Sequence, residues 1–330
     1  MAMKSVGINV VFRMAMAVAM SCDGGHAVAQ SYPEKTPVRL INSFVAGGGS
    51  DTIARVIADG LGKIWGTSVV VENRPGATGF IAAEQAAKAA PDGNTIFMID
   101  PQIMSMNPAL FSKLPYDPVK DFAAVINIGQ FASVLVASSA FPANSLKETI
   151  ALAKANPGEV NYGSSGIGSF THLYQEEFAA LAGIKLTHIP YKGNAEVLKA
   201  VLGNEIQLTL SGVLTAASPV KQSKIKAIAV GASKRDPLLP DVPTFAEEGI
   251  PFNSVAWLGL AVPSATPRRI VEKLAADVSR VITAKEFQDR FLASLGLEVL
   301  NQGPDEFARF LKADRAKYES YVKRVNLRLD

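Results

Sequence analysis

One pattern occurs twice in this chain, and it limits what the chain can fold into. An apolar run through Val38, Leu40 and Ile41 leads into Gly47-Gly48-Gly49-Ser50-Asp51, after which apolar residues recur at helical spacing. Past mid-chain, Val160-Asn161-Tyr162 leads into Gly163-Ser164-Ser165-Gly166-Ile167-Gly168-Ser169, and a second helical pattern begins. Each is a strand, a loop of small residues and a helix start. Such a loop presents bare backbone N–H groups beside the positive end of a helix dipole, a combination that favours a carboxylate or a phosphate. Two of them, far apart in the chain, predict two jaws that meet on one small acidic ligand.

At 330 residues the chain exceeds what one hydrophobic core usually serves, so two domains are expected. The formal charge is only +3, and lysines and arginines are scattered rather than blocked, which argues against a nucleic-acid partner. Residues 1–29 read differently from the rest: Lys4, Arg13, an apolar run from Met14 to Met20, and Ala27-Val28-Ala29 form the outline of a secretory signal. Cleavage after Ala29 removes Cys22, the only cysteine; the rival reading makes Cys22 a lipidated N-terminus. Export to the periplasm is the expectation.

Strand and helix signals alternate along the remaining chain, which predicts an α/β architecture with parallel-rich sheets flanked by helices. Helix starts are expected at Ser50 or Asp51 and at Ser169, and a short buried strand at Val69-Val70-Val71. A strand over 95–99 ends at Asp100-Pro101, and ligands in open α/β sheets gather at the carboxyl ends of strands. Residues 124–136 and 254–262 are long apolar stretches suited to crossing between domains. They imply a discontinuous first domain, 30–132 with 254–330, and an inserted second domain, 133–253. Such a chain is a hinge-bending clamshell.

Several stretches carry a resemblance. Gly47-Gly48-x-x-Asp51, Val71-Glu72-Asn73-Arg74-Pro75-Gly76-Ala77, Leu114-Pro115-Tyr116-Asp117-Pro118 and Asn161-Tyr162-x-Ser164-Ser165-Gly166-x-Gly168-Ser169 follow one another in order. Pro190-Tyr191-Lys192-Gly193, Leu239-Pro240-Asp241-Val242-Pro243-Thr244 and Trp257-x-Gly259-Leu260 continue the series. Residues 32 to about 322 thereby resemble the solute-binding receptors of bacterial tripartite tricarboxylate transporters, the Bug family. The resemblance implies a two-domain periplasmic-binding-protein clamshell of type II-like form, a monomer that takes up a small carboxylate and passes it to integral-membrane permease subunits. It also implies that Phe44, Gly47, Gly48 and Asp51 form one jaw, and that Ser165, Gly168, Ser169 and Thr171 form the other.

Departures from the family pattern fall at predicted pocket loops: Gly49 in place of a hydroxyl residue, Asp100 and Gln102 after the 95–99 strand, and Leu210-Ser211 where Phe-Asp is common. Asp100, Gln102 and Ser211 therefore join the candidate ligand-binding residues, with Phe170 as an apolar wall and Tyr191 at a strand end. Competing roles stay open for several of these. Asp51 caps its helix or orients a bridging water, since a free carboxylate would repel an anion. Ser169 and Thr171 cap a helix, bind the ligand, or do both. Asp100 accepts a hydrogen bond from the ligand or closes a turn with Pro101.

No catalytic residue, metal site or cofactor is expected. His172 and His188 have no cysteine or carboxylate at metal-binding spacing, and Gly163-Ser164-Ser165-Gly166 is not a nucleophile elbow. The ligand stays open among di- and tricarboxylates, acidic amino acids and aromatic acids. A receptor that signals occupancy to a membrane kinase is the alternative role.

Overall fold

The computed structural model describes residues 32–33, 37–289 and 296–329; the expected leader and Cys22 lie outside them. Residues from Lys35 onward form one compact unit carrying two sheets. The first sheet contains β1 (Val38–Asn42), β2 (Val69–Asn73), β3 (Thr95–Ile99), β4 (Phe122–Phe131), β10 (Ala256–Pro263) and β11 (Leu297–Gln302). The second contains β5 (Ser133–Ser138), β6 (Asn161–Ser164), β7 (Thr187–Pro190), β8 (Leu208–Gly212) and β9 (Ile225–Val230).

The strand orders match. One sheet runs β2-β1-β3-β10-β4, with β11 added at the end, and the other runs β7-β6-β8-β5-β9. In both, the first three positions are parallel and the last two pairings are antiparallel. The sheets are therefore mixed rather than mostly parallel. Helical crossovers make the parallel part, and the antiparallel part comes from the strands that pass between the lobes, because a crossing strand arrives at its sheet from the opposite end. The strand over 69–71 is present as β2, but at a sheet edge with Val70 exposed: a run of three valines marks a strand without marking burial on both faces.

Helices pack on both sheets: α1 (Gly49–Trp65), α2 (Phe80–Ala87), α3 (Asn107–Leu110), α4 (Leu146–Ala155), α5 (Phe170–Ala182), α6 (Asn194–Leu202), α7 (Val213–Lys221), α8 (Arg268–Ile282) and α9 (Pro304–Val325). In α1 the spacing of Ile53, Ile57 and Leu61 buries one stripe, and Gly66 in the left-handed region ends the helix with its N–H on the Gly62 carbonyl. A single turn of π-helix, Gln102–Met106, leads into α3 and had no sequence signal. Nor had α7, which carries Pro219 within it.

The chain passes between the lobes at Ala132 and again around Ser254. Both crossings are tied together there: the Ser133 hydroxyl donates to the Ser254 carbonyl at 2.9 Å, and the two serine hydroxyls are hydrogen-bonded to each other. A third link is α9. On the first lobe's side, Asp314 accepts from Ser105 Oγ at 2.8 Å and from Trp257 Nε1 at 3.0 Å. One turn on, the Tyr318 hydroxyl meets that of Tyr174 on α5 at 2.7 Å, and Arg324 pairs with buried Glu177. Met106, Leu110, Tyr318 and Val322 share one apolar cluster with Tyr174 and Phe178, so the core of the second sheet extends to α9 and to the π-helical turn and α3 of the first lobe.

Candidate functional site

The carboxyl ends of the parallel strands of both lobes face a common cavity of about 520 Å³, a size that suits a small metabolite. Ser50 and Gly49 bring the start of α1 to it, Ser169, Phe170 and Thr171 the start of α5, and Asn194 the start of α6. Its floor is made by the crossing segments, with Phe131, Ser133, Ser254 and Trp257 among the lining residues. Asp100 is the one charged side chain among the described residues that line it; the rest are apolar, hydroxyl, amide or glycine.

The first jaw is held in shape by Asp51, from outside the cavity. Gly48 is the N-cap residue, in extended conformation, and Asp51 stands in the first turn. Its carboxylate reaches back to the N–H of Gly47 at 2.8 Å, while Arg55 Nε donates at 2.9 Å and Asn73 Nδ2 at 2.9 Å. Asn73 also donates to the Phe44 carbonyl at 3.0 Å, so the whole loop is fixed from β2. Burial would raise this carboxyl, but the hydrogen bonds from Arg55, Gly47 and Asn73 outweigh it and hold it below the usual range. These bonds make Asp51 an organiser of the helix start. Gly47 and Gly48 shape the loop without lining the cavity, whereas Phe44 and Ser50 do line it. Ser50 Oγ donates to Asn42 Oδ1 at 3.1 Å and lies as close to Met98 Sδ.

The second jaw is built from neutral groups. Ser169 caps α5, its Oγ accepting from the His172 N–H at 3.3 Å. Thr171 Oγ1 accepts from the Ser165 N–H at 2.9 Å and touches the Ser165 and Ser169 hydroxyls at 3.1 and 3.2 Å. Ser165, Ser169, Phe170 and Thr171 all line the cavity. Gly168 does not, but it sets their position. Its φ of +75° suits glycine, its N–H donates to His172 Nδ1 at 3.1 Å, and a Cβ there would come within 2.3 Å of Leu329 Cδ1. Gln102 reaches across from the first lobe, donating to the Gly168 carbonyl at 3.2 Å and to Asn107 Oδ1 at 2.7 Å.

Beneath that jaw, His172 and His188 stack with ring centroids 3.9 Å apart, and His188 Nε2 meets Ser164 Oγ at 2.6 Å. Burial pushes both imidazoles down to about 4, and the His172 ring beside it further disfavours a proton on His188. They are neutral supports, not anion ligands. Among the described residues no group of His, Cys, Asp or Glu is placed to hold a metal ion.

Asp100 differs from every other lining residue. It closes the π-helical turn by accepting from the Ile103 N–H at 3.0 Å, with the Gln102 N–H as a second backbone partner. Its burial, without a cation beside it, pushes the carboxyl up to about 6. Ser211 lines the cavity from the end of β8; Tyr191 does not, and packs instead with the apolar cluster around α6. Asn194, Thr209 and Thr215 line it without having been singled out. For Asn194 the signal existed, because β7, Pro190-Tyr191-Lys192-Gly193 and α6 repeat the strand, loop and helix pattern of the two jaws.

Two similarly wound lobes around a carboxyl-end cleft define a solute-binding protein of the periplasmic type. Residues 53–327 match the family model described as the tripartite tricarboxylate transporter family receptor, and the chain belongs to that family. A Cupriavidus necator protein, known as the UPF0065 protein in the gbd 5′ region, is 32% identical over 311 residues, 94% of each chain. The solved structure of R. palustris Rpa4515 with adipate superposes with a TM-score of 0.81 at 32% identity, covering 90% of this chain and 99% of that one. MatC (Rpa3494) from Rhodopseudomonas palustris with bound malate gives 0.76 at 32% identity, covering 87% and 98%.

Proposed function

We propose that this chain is a periplasmic receptor that captures a small carboxylate between its lobes and delivers it to the permease of a tripartite tricarboxylate transporter. The observation that carries the reading is the meeting of two helix starts, α1 and α5, at one cavity whose polar side chains, Asp100 aside, are chiefly hydroxyls and amides. Backbone N–H groups and hydroxyls bind a carboxylate through charge-assisted hydrogen bonds of about 1.5–3 kcal/mol each, so several reach micromolar affinity without an arginine. Structures of family members with adipate and with malate support a carboxylate as the ligand class.

In this reading residues 1–29 are a cleaved export signal, and residues 30–132 with 254–330 and residues 133–253 are the two moving bodies. Phe44 and Ser50 act with Ser165, Ser169 and Thr171 as the ligand-binding set, and Phe170 and Ser211 complete the walls. Capture is a binding event with no bond made or broken, and permease delivery depends on the closed form.

The test is a thermal-shift panel of mono-, di- and tricarboxylates on protein stripped of co-purified ligand. An acid at a hundred times its dissociation constant adds about 2.7 kcal/mol of stability. Uptake of that acid should then require the permease subunits and this chain together. A flat response to every acid overturns the receptor reading; a response without permease-dependent uptake removes the transport half of it.

A further inference from the structure

Asp100 supplies a feature that the jaws do not. The cavity has three helix starts that favour negative charge, those of α1, α5 and α6, and one carboxylate of its own, placed where β3 gives way to the π-helical turn. That junction is a strand-to-helix start like the jaws, but its free N–H groups are already taken by the Asp100 side chain. A ligand carboxylate cannot use it. No lysine, arginine or histidine among the described lining residues faces Asp100. Tyr116, which feels the charge of Asp100, is a buried phenol that donates to the Ile103 carbonyl at 2.7 Å. The same cavity has apolar walls, with Phe44, Phe131, Phe170 and Leu210 among them.

Resting on the carboxylate-receptor reading, we propose that Asp100 determines specificity, selecting an acid that carries a hydrogen-bond donor, hydroxyl or ammonium, apart from its carboxylate. The carboxylate is held at the helix starts, the apolar body lies along the aromatic walls, and the donor meets the free acceptor capacity of Asp100. A second carboxylate in that place sets two like charges against each other in a water-poor cleft, and one of them must take up a proton to be tolerated. A methyl group there offers the buried carboxylate nothing beyond its two backbone partners. A site built to hydrogen-bond a donor rejects analogues that lack it more strongly than it rejects a change of size.

The experiment is calorimetric binding of matched straight-chain acids of four to eight carbons that differ only in the second group: hydroxyl, ammonium, carboxylate or methyl. The wild-type protein should bind the hydroxy or amino acid of the best length about tenfold or more tighter than the dicarboxylate of that length, the ratio set by one charge-assisted hydrogen bond. Asp100→Asn keeps the oxygen that caps Ile103 and removes the charge, so it should narrow that ratio severalfold, chiefly by improving the dicarboxylate. If the dicarboxylate binds best to the wild type, or the Asn variant keeps the wild-type ranking, the donor requirement is wrong while the receptor reading stands. If no acid of any length binds, both fall. The wild-type ranking alone decides the matter should the variant fold poorly.

Discussion

The two jaws do one job with different materials. The first is stapled from behind by charge: Asp51 gathers Gly47, Arg55 and Asn73, all within the first lobe. The second is a neutral lattice of serine, threonine and histidine, and its pivot, Gly168, accepts from Gln102 of the first lobe and lies beside Leu329, past the end of α9. A jaw fixed from within its own lobe keeps its shape whether the cleft is open or shut. One fixed from across the cleft is complete only when the lobes are near one another, so closure and binding competence are coupled on that side.

The same kind of substitution at the two glycine loops should therefore give unequal results. Gly168→Val places a β-branched residue at φ +75° and drives its side chain into Leu329, so it should cost about 3 kcal/mol in urea unfolding and weaken acid binding strongly. Gly48→Val, in extended backbone with nothing nearer than 3.6 Å to the added Cβ, should leave stability nearly unchanged. Equal losses at the two sites would end the comparison. Next in size is Asp51→Ala, which leaves Gly47, Asn73 and Arg55 without their acceptor and should cost about 2 kcal/mol. Thr171→Val removes only neutral bonds at the other jaw and should cost about 1 kcal/mol. Unfolding in low and high salt sharpens the contrast, since only the Asp51 effect should shrink with ionic strength.

Acid separates the two sides by sign. The jaw histidines are held to about 4, below the ordinary 6.5, so the unfolded chain takes up their protons first and their contribution is lost as pH falls from about 6.5 to about 4. Asp100 is raised to about 6, so its folded form takes up the proton first and stability is gained over an overlapping range as pH falls. Melting temperature against pH should flatten in His172→Gln and steepen in Asp100→Asn over that range. The smallest effect is Gln102→Leu, which breaks the bond across to Gly168. It should weaken acid binding about fivefold with little change in unfolding, an outcome read by calorimetry and urea titration together.

Much of this was written in the local sequence. Glycine loops between apolar runs announced the two strand-to-helix junctions, and the long apolar stretches announced the strands that pass between the sheets, because strand, turn and helix starts depend on neighbours in the chain. What was missed depends on neighbours in space. Asp51 looks the same in sequence whether it faces a ligand or turns back on Gly47; only the placement of Asn73 and Arg55 around it decides. The strand, loop and helix pattern marks the loop between Tyr191 and Asn194, but which of the two residues reaches the cavity depends on packing around Tyr191 and not on that pattern. The mixed character of the sheets follows from which strands cross between lobes, a matter of topology rather than composition.

The long helix α9 has a consequence for how the molecule comes apart. Two sheets joined by two crossings would ordinarily be free to melt separately, one lobe surviving the other. Here the Tyr318–Tyr174 pair ties α9 to α5, and Met106 and Leu110 of the first lobe pack with Tyr318 and Val322 into the second sheet's apolar cluster. Unfolding either lobe strips that seam and exposes aromatic surface on the other, at about 25 cal/mol for each Å². Heat should therefore meet a single transition in calorimetry, with amide exchange in α5 and α9 slowed to the same degree.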